Sequence, residues 1–352
     1  MSRWDVQVSA QHLSAGSGGI ARCARLSVMA LSPEARLTAL AVEDRAPLAV
    51  GDVEVRACSG NRPAFVISNA LGALSSGWTL YDFAGTARAH GPLGRPYVLW
   101  VHGWEVWPEN LRADYARVIR KAKAVFANSR HTQRRLAESL PGLTSVHCCL
   151  LGTEYDDPPT ESGSRERMVL FVGRNDEMFA KGQDILIAAW PEVVARVPDA
   201  RLCFVGGGDR LDRLRALVSA SPAAASIDVL GPLDESDVAR LYRRARLFAM
   251  LSEVEGFGLV FAEAMSHGAP ILTSRQDASQ EINIEGVTGI SVDRGDREAV
   301  VRTIASVLDD DALFGQLSAG ACQQWSREYR FSAFRERFLK AVAAAGLAHG
   351  RS

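Results

Sequence analysis

The stretch Ser252 to Ser274, SEVEGFGLVFAEAMSHGAPILTS, decides the fold. It follows an apolar run, Leu247 to Leu251, that reads as a buried strand of a parallel sheet. A turn then carries Glu253, Glu255, Gly256, Phe257 and Gly258. The helical period that follows has Leu259, Val260, Ala262, Met265 and Ser266 as candidate packing positions. Gly268 and Ala269-Pro270 stop that helix before a second predicted strand, Ile271 to Thr273. Strand, turn, helix and strand in this order make one unit of an α/β fold. Two carboxylates stand at its mouth, Glu255 in the turn and Glu263 in the helix, an E-x7-E spacing.

In an open parallel sheet, ligands bind beyond the carboxyl ends of the strands, where helix N-termini offer N–H groups and a partial positive charge to a phosphate. Gly256 and Gly258, lacking a Cβ, let the backbone approach such an anion. A carboxylate beside that anion is repelled by it. Glu255 and Glu263 are therefore more useful as acceptors for sugar or ribose hydroxyls. Either glutamate alone also fits a helix cap or a solvated helix face.

At 352 residues the chain can hold two domains, and its 47% hydrophobic and 23% charged content suits a soluble globular protein. A formal net charge of −1 gives no bulk attraction for nucleic acid, which is not expected as a partner. The N-terminus MSRWDVQVSAQHL lacks an apolar signal core, and no stretch is long enough to cross a bilayer, so a cytoplasmic location is expected. Six scattered cysteines form no C-x2-C pair, which argues against a zinc site or a disulfide framework.

A predicted strand, Trp4 to Ser9, leads into Ser14-Ala-Gly-Ser-Gly-Gly-Ile20 and a helix from Ala21 to about Leu31. This small-residue turn is either a ligand contact or an ordinary tight turn; it does not follow G-x-G-x-x-G, and no P-loop lysine follows Gly19. Strands are predicted at Leu37 to Val42, Val53 to Arg56, Pro63 to Ser68 and Thr79 to Phe83. The strand Pro96 to His102 ends in His102-Gly103-Trp104-Glu105, so His102 is either a ligand contact at a strand end or a buried histidine satisfied by a carbonyl. One helix, Leu111 to Ala122, carries Arg112, Arg117, Arg120 and Lys121, with Lys123 just beyond; the next carries Arg134 and Arg135. These are solvated faces or a basic surface for anionic lipid or an anionic acceptor.

Glu154 to Arg167, EYDDPPTESGSRER, has no periodicity and reads as a linker. The expected organisation is a domain 1–155, a linker 156–166, a domain 167–325 and a terminal helix 326–352. The second half restarts the strand and helix alternation, with Gly173-Arg174, Lys181-Gly182, Gly206-Gly207-Gly208 and Gly231-Pro232-Leu233 at strand ends or helix starts. Arg174 and Lys181 suit a diphosphate, Arg as a fork and Lys as a point charge; each also fits surface ion pairing. The tail is helical, and its aromatics Trp325, Tyr329, Phe331, Phe334 and Phe338 suggest a helix pair packed on the other domain.

The residues V-G-R at Val172 to Arg174, K-G at Lys181-Gly182, G-G-G at Gly206 to Gly208 and E-G-F-G-L-x3-E-A-M-x2-G-x-P at Glu255 to Pro270 resemble those of retaining glycosyltransferases of family four. Ser17 to Arg22, S-G-G-I-A-R, is similar to the glycine loop that opens the N-terminal domain in that family. The resemblance covers nearly the whole chain. It implies a GT-B fold, two Rossmann-like domains facing each other across a cleft, with C-terminal helices crossing back to the first.

The same resemblance implies that Arg174 and Lys181 hold the diphosphate of a UDP- or GDP-sugar, aided by the backbone of Phe257, Gly258 and Leu259. Glu255 would contact the sugar and Glu263 the ribose; Gly231 and Leu233 would frame the base. His102 would reach the sugar from the first domain, and Gly18 and Gly19 would border the phosphate and acceptor. The acceptor would be a glycan or lipid-linked hydroxyl, with peripheral contact at the inner membrane face. Leu151-Gly152-Thr153-Glu154 departs from the asparagine-glycine-valine-aspartate usual before the hinge.

No D-x-D motif stands at a strand end, so no metal and no other cofactor is expected. Other readings are a sugar-nucleotide epimerase of the same fold, a silent sugar-nucleotide binder, and an NAD oxidoreductase, the last weakened by the missing G-x-G-x-x-G.

Overall fold

The computed structural model describes residues 4–157, 165–175 and 181–347; most of the expected linker and the short segment 176–180 lie outside the described residues. The chain divides into two compact units, residues 1–154 with 331–352, and residues 155–330.

The first unit begins with β1 (Trp4–Ala10), α1 (Gly19–Leu31), β2 (Ala35–Ala41), β3 (Leu48–Val50) and β4 (Val53–Ala57). It continues with α2 (Arg62–Ser75), β5 (Trp78–Tyr81), α3 (Ala84–Ala87) and β6 (Tyr97–Val101). Then come α4 (Ala113–Lys121), β7 (Ala124–Ala127), α5 (Arg130–Ser139) and β8 (Val146–Cys148). The sheet order is β3-β4-β2-β1-β5-β6-β7-β8, parallel except between β3 and β4. Every residue of β6 is buried, as a strand covered on both faces requires.

Pro63 to Ser68, expected as a strand, lies in α2. Asn61 caps this helix by accepting the Ala64 amide at 3.1 Å, and Pro63 sits in the first turn, where its missing N–H costs nothing. Phe65, Asn69 and Ala73 are buried at helical spacing, while the β-branched Val66-Ile67 pair imitates a strand.

The second unit contains β9 (Glu166–Val172), α6 (Gln183–Arg196), β10 (Arg201–Val205), α7 (Leu211–Ser219) and β11 (Ile227–Gly231). Next are α8 (Glu235–Arg244), β12 (Ala245–Met250), α9 (Leu259–Ser266), β13 (Ile271–Ser274), α10 (Ser279–Ile282) and β14 (Gly289–Val292). Two helices, α11 (Arg297–Asp309) and α12 (Asp311–Glu328), close the unit. Its sheet, β11-β10-β9-β12-β13-β14, is wholly parallel and reverses direction of growth between β9 and β12. In the first unit the corresponding reversal falls between β1 and β5. Such reversals open a crevice at the carboxyl edge.

The tail aromatics divide, rather than packing on one surface. Trp325 and Tyr329 remain in the second unit against Tyr155 and Phe257, each with ring centroids 6.0 Å apart. Helix α13 (Phe331–Ala344) belongs to the first unit, where Phe334 and Phe338 stack on Trp100 of β6 at 6.3 and 5.5 Å. No helix among the described residues is long and apolar enough to cross a membrane.

Candidate functional site

In the second unit, polar groups gather at the carboxyl edge where the sheet reverses. β9 ends at Val172 and is followed by Gly173 and the exposed Arg174, and its neighbour β12 leads into the loop bearing Glu255. Lys181 Nζ donates to Glu255 Oε2 at 2.7 Å, with the two side chains 30% and 16% exposed. The ion-pairing alternative for Lys181 is thus realised, and its partner is another predicted site residue.

The turns around this pair leave no room for side chains. A Cβ on Gly206 would stand 2.0 Å from the carbonyl oxygen of Gly173, at a φ of +130°. Asn175 and Gln183, both buried, lock the same turn. Asn175 Nδ2 donates to the Gly206 carbonyl at 3.0 Å, and Gln183 Nε2 lies 3.2 Å from both the Arg174 carbonyl and Asn175 Oδ1. Sequence reading missed both; polar residues directly after V-G-R and K-G were the available signal.

Helix α9 starts after Gly258, whose φ of +86° is left-handed and where a Cβ would meet the Phe261 ring at 2.4 Å. Phe261, absent from the predicted packing positions, is fully buried, whereas Val260 is only half-buried. The first amide to return within the helix is that of Phe261, to the Gly258 carbonyl at 2.9 Å. The amides of Phe257, Gly258 and Leu259 precede it, at the positive end of the helix dipole. Glu263, one turn further on, accepts the hydroxyl of buried Tyr242 at 3.1 Å. Gly231 ends β11, two strands from β9, and its carbonyl accepts the Gly206 amide at 2.8 Å; Leu233 just beyond is half-buried.

Asp277, after β13, fixes the Glu255 loop from below by accepting the Glu255 amide at 3.0 Å and the Ser279 amide at 2.9 Å. Burial, with the Glu255 charge adding to it, pushes its carboxyl up to about 6. Glu253 forms an ion pair with Arg294, beyond β14.

In the first unit, Asp82 at the end of β5 bridges the reversal. Its carboxylate accepts the Gln11 amide at 2.7 Å and the Thr86 hydroxyl at 2.6 Å, and burial pushes its pKa up to about 7. Its carbonyl oxygen lies 2.6 Å from His102 Nε2. A carbonyl only accepts, so this contact places the proton on Nε2 and leaves the lone pair on Nδ1. Burial lowers the His102 pKa, with Glu105 and the Asp82 carbonyl opposing the shift. The Glu105 carboxylate also accepts the His102 amide at 2.6 Å. His102 thus stands at the strand end with its Nε2 satisfied by the Asp82 carbonyl.

Gly18, at φ +93°, precedes α1, and Gly19 is its first residue; a Cβ on either meets nothing within 4 Å. The loop therefore borders open space. Buried Asp44 holds it, accepting the amides of Leu13 and Ser14 at 2.7 and 3.2 Å and the Ser14 hydroxyl at 2.7 Å. Arg25 donates to the Ser14 carbonyl at 3.0 Å and to both carboxylate oxygens of Glu154 at 2.7 and 2.6 Å. Glu154 belongs to the segment that departs from the family pattern, and here it braces the glycine loop through Arg25. Asp82, Asp44 and Arg25 were missed; carboxylates directly after apolar strands, at Tyr81-Asp82 and Val42-Glu43-Asp44, were the signal.

Two parallel-sheet units, with polar groups bridging each reversal and a terminal helix returned to the first, define a protein of the GT-B class. Residues 153–324, just under half of the chain, match the family described as Glycosyl transferases group 1. It is 29% identical over 224 residues to the GDP-mannose-dependent alpha-(1-6)-phosphatidylinositol monomannoside mannosyltransferase of Mycolicibacterium smegmatis, covering 59% of this chain and 58% of the relative. It is 30% identical over 253 residues to the GDP-mannose-dependent monoacylated alpha-(1-6)-phosphatidylinositol monomannoside mannosyltransferase of Corynebacterium glutamicum, covering 67% and 65%. The chain thus spans less than two thirds of either relative's length. In fold it is similar to Anabaena HepE in complex with UDP and glucose, with a TM-score of 0.80 at 18% identity over 97% of this chain and 100% of that one. It is also similar to sucrose-phosphate synthase from Thermosynechococcus elongatus, with a TM-score of 0.82 at 18% identity over 99% and 100%.

Proposed function

We propose that the chain transfers a sugar, with retention of configuration and without a metal, from a nucleoside-diphosphate sugar to a hydroxyl of a glycan or lipid-linked acceptor. Its place is bacterial polysaccharide or glycoconjugate assembly in the cytoplasm. GDP-mannose is the first donor to try, because both curated relatives above are named for it.

The observation that carries this reading is the Lys181–Glu255 pair across the sheet reversal, beside the start of α9. Breaking a sugar–diphosphate bond puts negative charge on the leaving group and positive charge on the sugar ring. Arg174, Lys181 and the Phe257 to Leu259 amides act on the first, where preorganised donors are worth about 3 kcal/mol each. An arriving diphosphate takes over the Lys181 ammonium, which releases Glu255 to the sugar hydroxyls. Glu263 serves the ribose, Gly231 and Leu233 the base, and His102 the sugar. Gly18 and Gly19 let the ligand approach. The leaving phosphate oxygen takes the acceptor's proton in a front-side attack; a covalent sugar adduct on Glu255 would contradict that step.

The test is a calorimetric panel of GDP-mannose, UDP-glucose and ADP-glucose in EDTA, followed by product analysis with a lipid extract. The reading predicts binding without metal, and release of nucleoside diphosphate only when an acceptor is present. Epimerised donor, or binding without turnover over every acceptor, would replace it with the epimerase or the silent binder.

A further inference from the structure

Among the described phenylalanines, tyrosines and tryptophans, only Trp104 is exposed, at 54%. Trp78, Trp100, Trp107, Trp190 and Trp325 are all buried, and the other strongly exposed apolar side chains are aliphatic. Among the described residues, no ring and no cation stacks on the Trp104 indole. An indole left in water forgoes the burial that draws the other tryptophans inside. Trp104 does so just beyond the carboxyl end of β6, at the edge where ligands of parallel sheets bind.

The turn that carries this indole is pinned. Gly103, at φ +140°, swings the chain from His102 into Trp104. Glu105 Oε1 accepts the His102 amide at 2.6 Å, and Asn128 Nδ2, just after β7, donates to the His102 carbonyl at 2.9 Å. On the same edge His12 follows β1, with β5 between the two strands. Two strand spacings set the ends of β1 and β6 about 10 Å apart. His12 Nδ1 meets buried Asp44 at 3.2 Å, and 34% of the imidazole side chain stays exposed. A carboxylate only accepts, so a ring proton lies on Nδ1; Nε2, without a partner among the described residues, is left for a hydroxyl. The glycine loop, open at Gly18 and Gly19, continues from His12. This whole edge belongs to the first unit.

We propose that Trp104 is the platform on which a pyranose ring of the acceptor stacks, while His12, oriented by Asp44, takes one of that ring's hydroxyls. A pyranose carries an apolar C–H face ringed by hydroxyls, so it fits an indole face with hydrogen-bonding groups around it. An acyl chain needs continuous apolar surface instead, and Trp104 is flanked in the chain by polar His102 and Glu105. The acceptor group is thereby a saccharide. The proposal deepens the sugar-transfer reading and rests on it for calling that saccharide the acceptor.

The experiment is saturation-transfer NMR of the full chain with methyl α-D-mannopyranoside, methyl β-D-glucopyranoside and, as a polyol without a ring, glycerol. The expected result is transfer to the C–H protons of at least one pyranoside and none to glycerol. Trp104→Ala weakens pyranoside binding about tenfold or more, Trp104→Phe restores part of it, and His12→Ala weakens it by a similar factor, with melting temperatures unchanged. Calorimetry with GDP-mannose and UDP-glucose on the same proteins separates the two readings. Pyranoside binding through Trp104 without donor binding removes the sugar-transfer reading and leaves the saccharide platform standing. Donor binding with no transfer to either pyranoside overturns the platform, as does transfer that Trp104→Ala does not diminish. A dimer of the chain that Trp104→Ala dissociates would also overturn it, assigning the indole to a second copy.

Discussion

Lys181 and Glu255 lie 74 residues apart in sequence and meet at 2.7 Å across the reversal of the six-stranded sheet. Both side chains keep some contact with solvent, so the bond contributes at most about 1 kcal/mol to stability. Its weight falls on the ligand. Lys181→Ala is expected to lower kcat/KM about 100-fold, roughly 2.7 kcal/mol, while shifting the melting temperature by only a degree or two. Steady-state kinetics beside calorimetric unfolding checks this. A large loss of stability with unchanged kcat/KM would make Lys181 structural.

Glycine positions separate packing from ligand approach. Gly206→Ala puts a Cβ 2.0 Å from a backbone oxygen and is expected to destabilise the second unit by several kcal/mol. Gly19→Ala meets nothing within 4 Å and starts a helix, so stability should hold or rise by about 0.5 kcal/mol. Its activity should nonetheless fall, if ligand approaches that backbone. Urea unfolding and turnover of the two variants test the pair of statements together.

Asp82 predicts a pH dependence. Its folded-state pKa is raised to about 7 from 3.8, so the folded protein holds the proton more tightly. The stability this contributes is fully present below about pH 4 and is lost as pH rises towards 7, on the order of a few kcal/mol. Asp82→Asn keeps an acceptor for the Gln11 amide and turns an amide towards the Thr86 hydroxyl. It should flatten the stability curve between pH 4.5 and 7.5 relative to wild type. Parallel wild-type and variant curves from urea unfolding would contradict the assignment.

His102 has its pKa lowered by burial, so it is neutral throughout the neutral range. Any acid limb of kcat that it causes should fall below pH 6.5. His102→Ala should lower kcat about 100-fold. An acid limb centred above pH 7 that disappears in His102→Ala would show a protonated ring in the working enzyme and contradict this account.

The parallel fold was legible because buried strands are continuous apolar runs, as in Val98 to Val101 and Leu247 to Met250, each followed by a glycine-bearing turn. Val66-Ile67 misled the reading at α2, where the cap at Asn61 and the spacing of Phe65, Asn69 and Ala73 carried the true signal. The second-unit candidate residues stand out in the sequence because each sits in a local turn motif. What supports them was not. Asp82 acts on an amide 71 residues away, Asp44 on a loop some 30 residues back, and Glu154 on an arginine 129 residues away. Such partners are set by sheet order, which no local spacing records. The division of the tail aromatics was hidden for the same reason, since Tyr329 and Phe334 look alike in sequence and lie in different units.

Sugar transfer itself is tested most directly by incubating the purified chain with GDP-mannose, a lipid extract and EDTA, and determining the product's anomeric configuration by NMR. The account predicts a new glycolipid with the α-configuration of the donor, stoichiometric GDP release, and loss of both in Lys181→Ala. An inverted product, a strict need for divalent metal, or undiminished transfer by Lys181→Ala would contradict it.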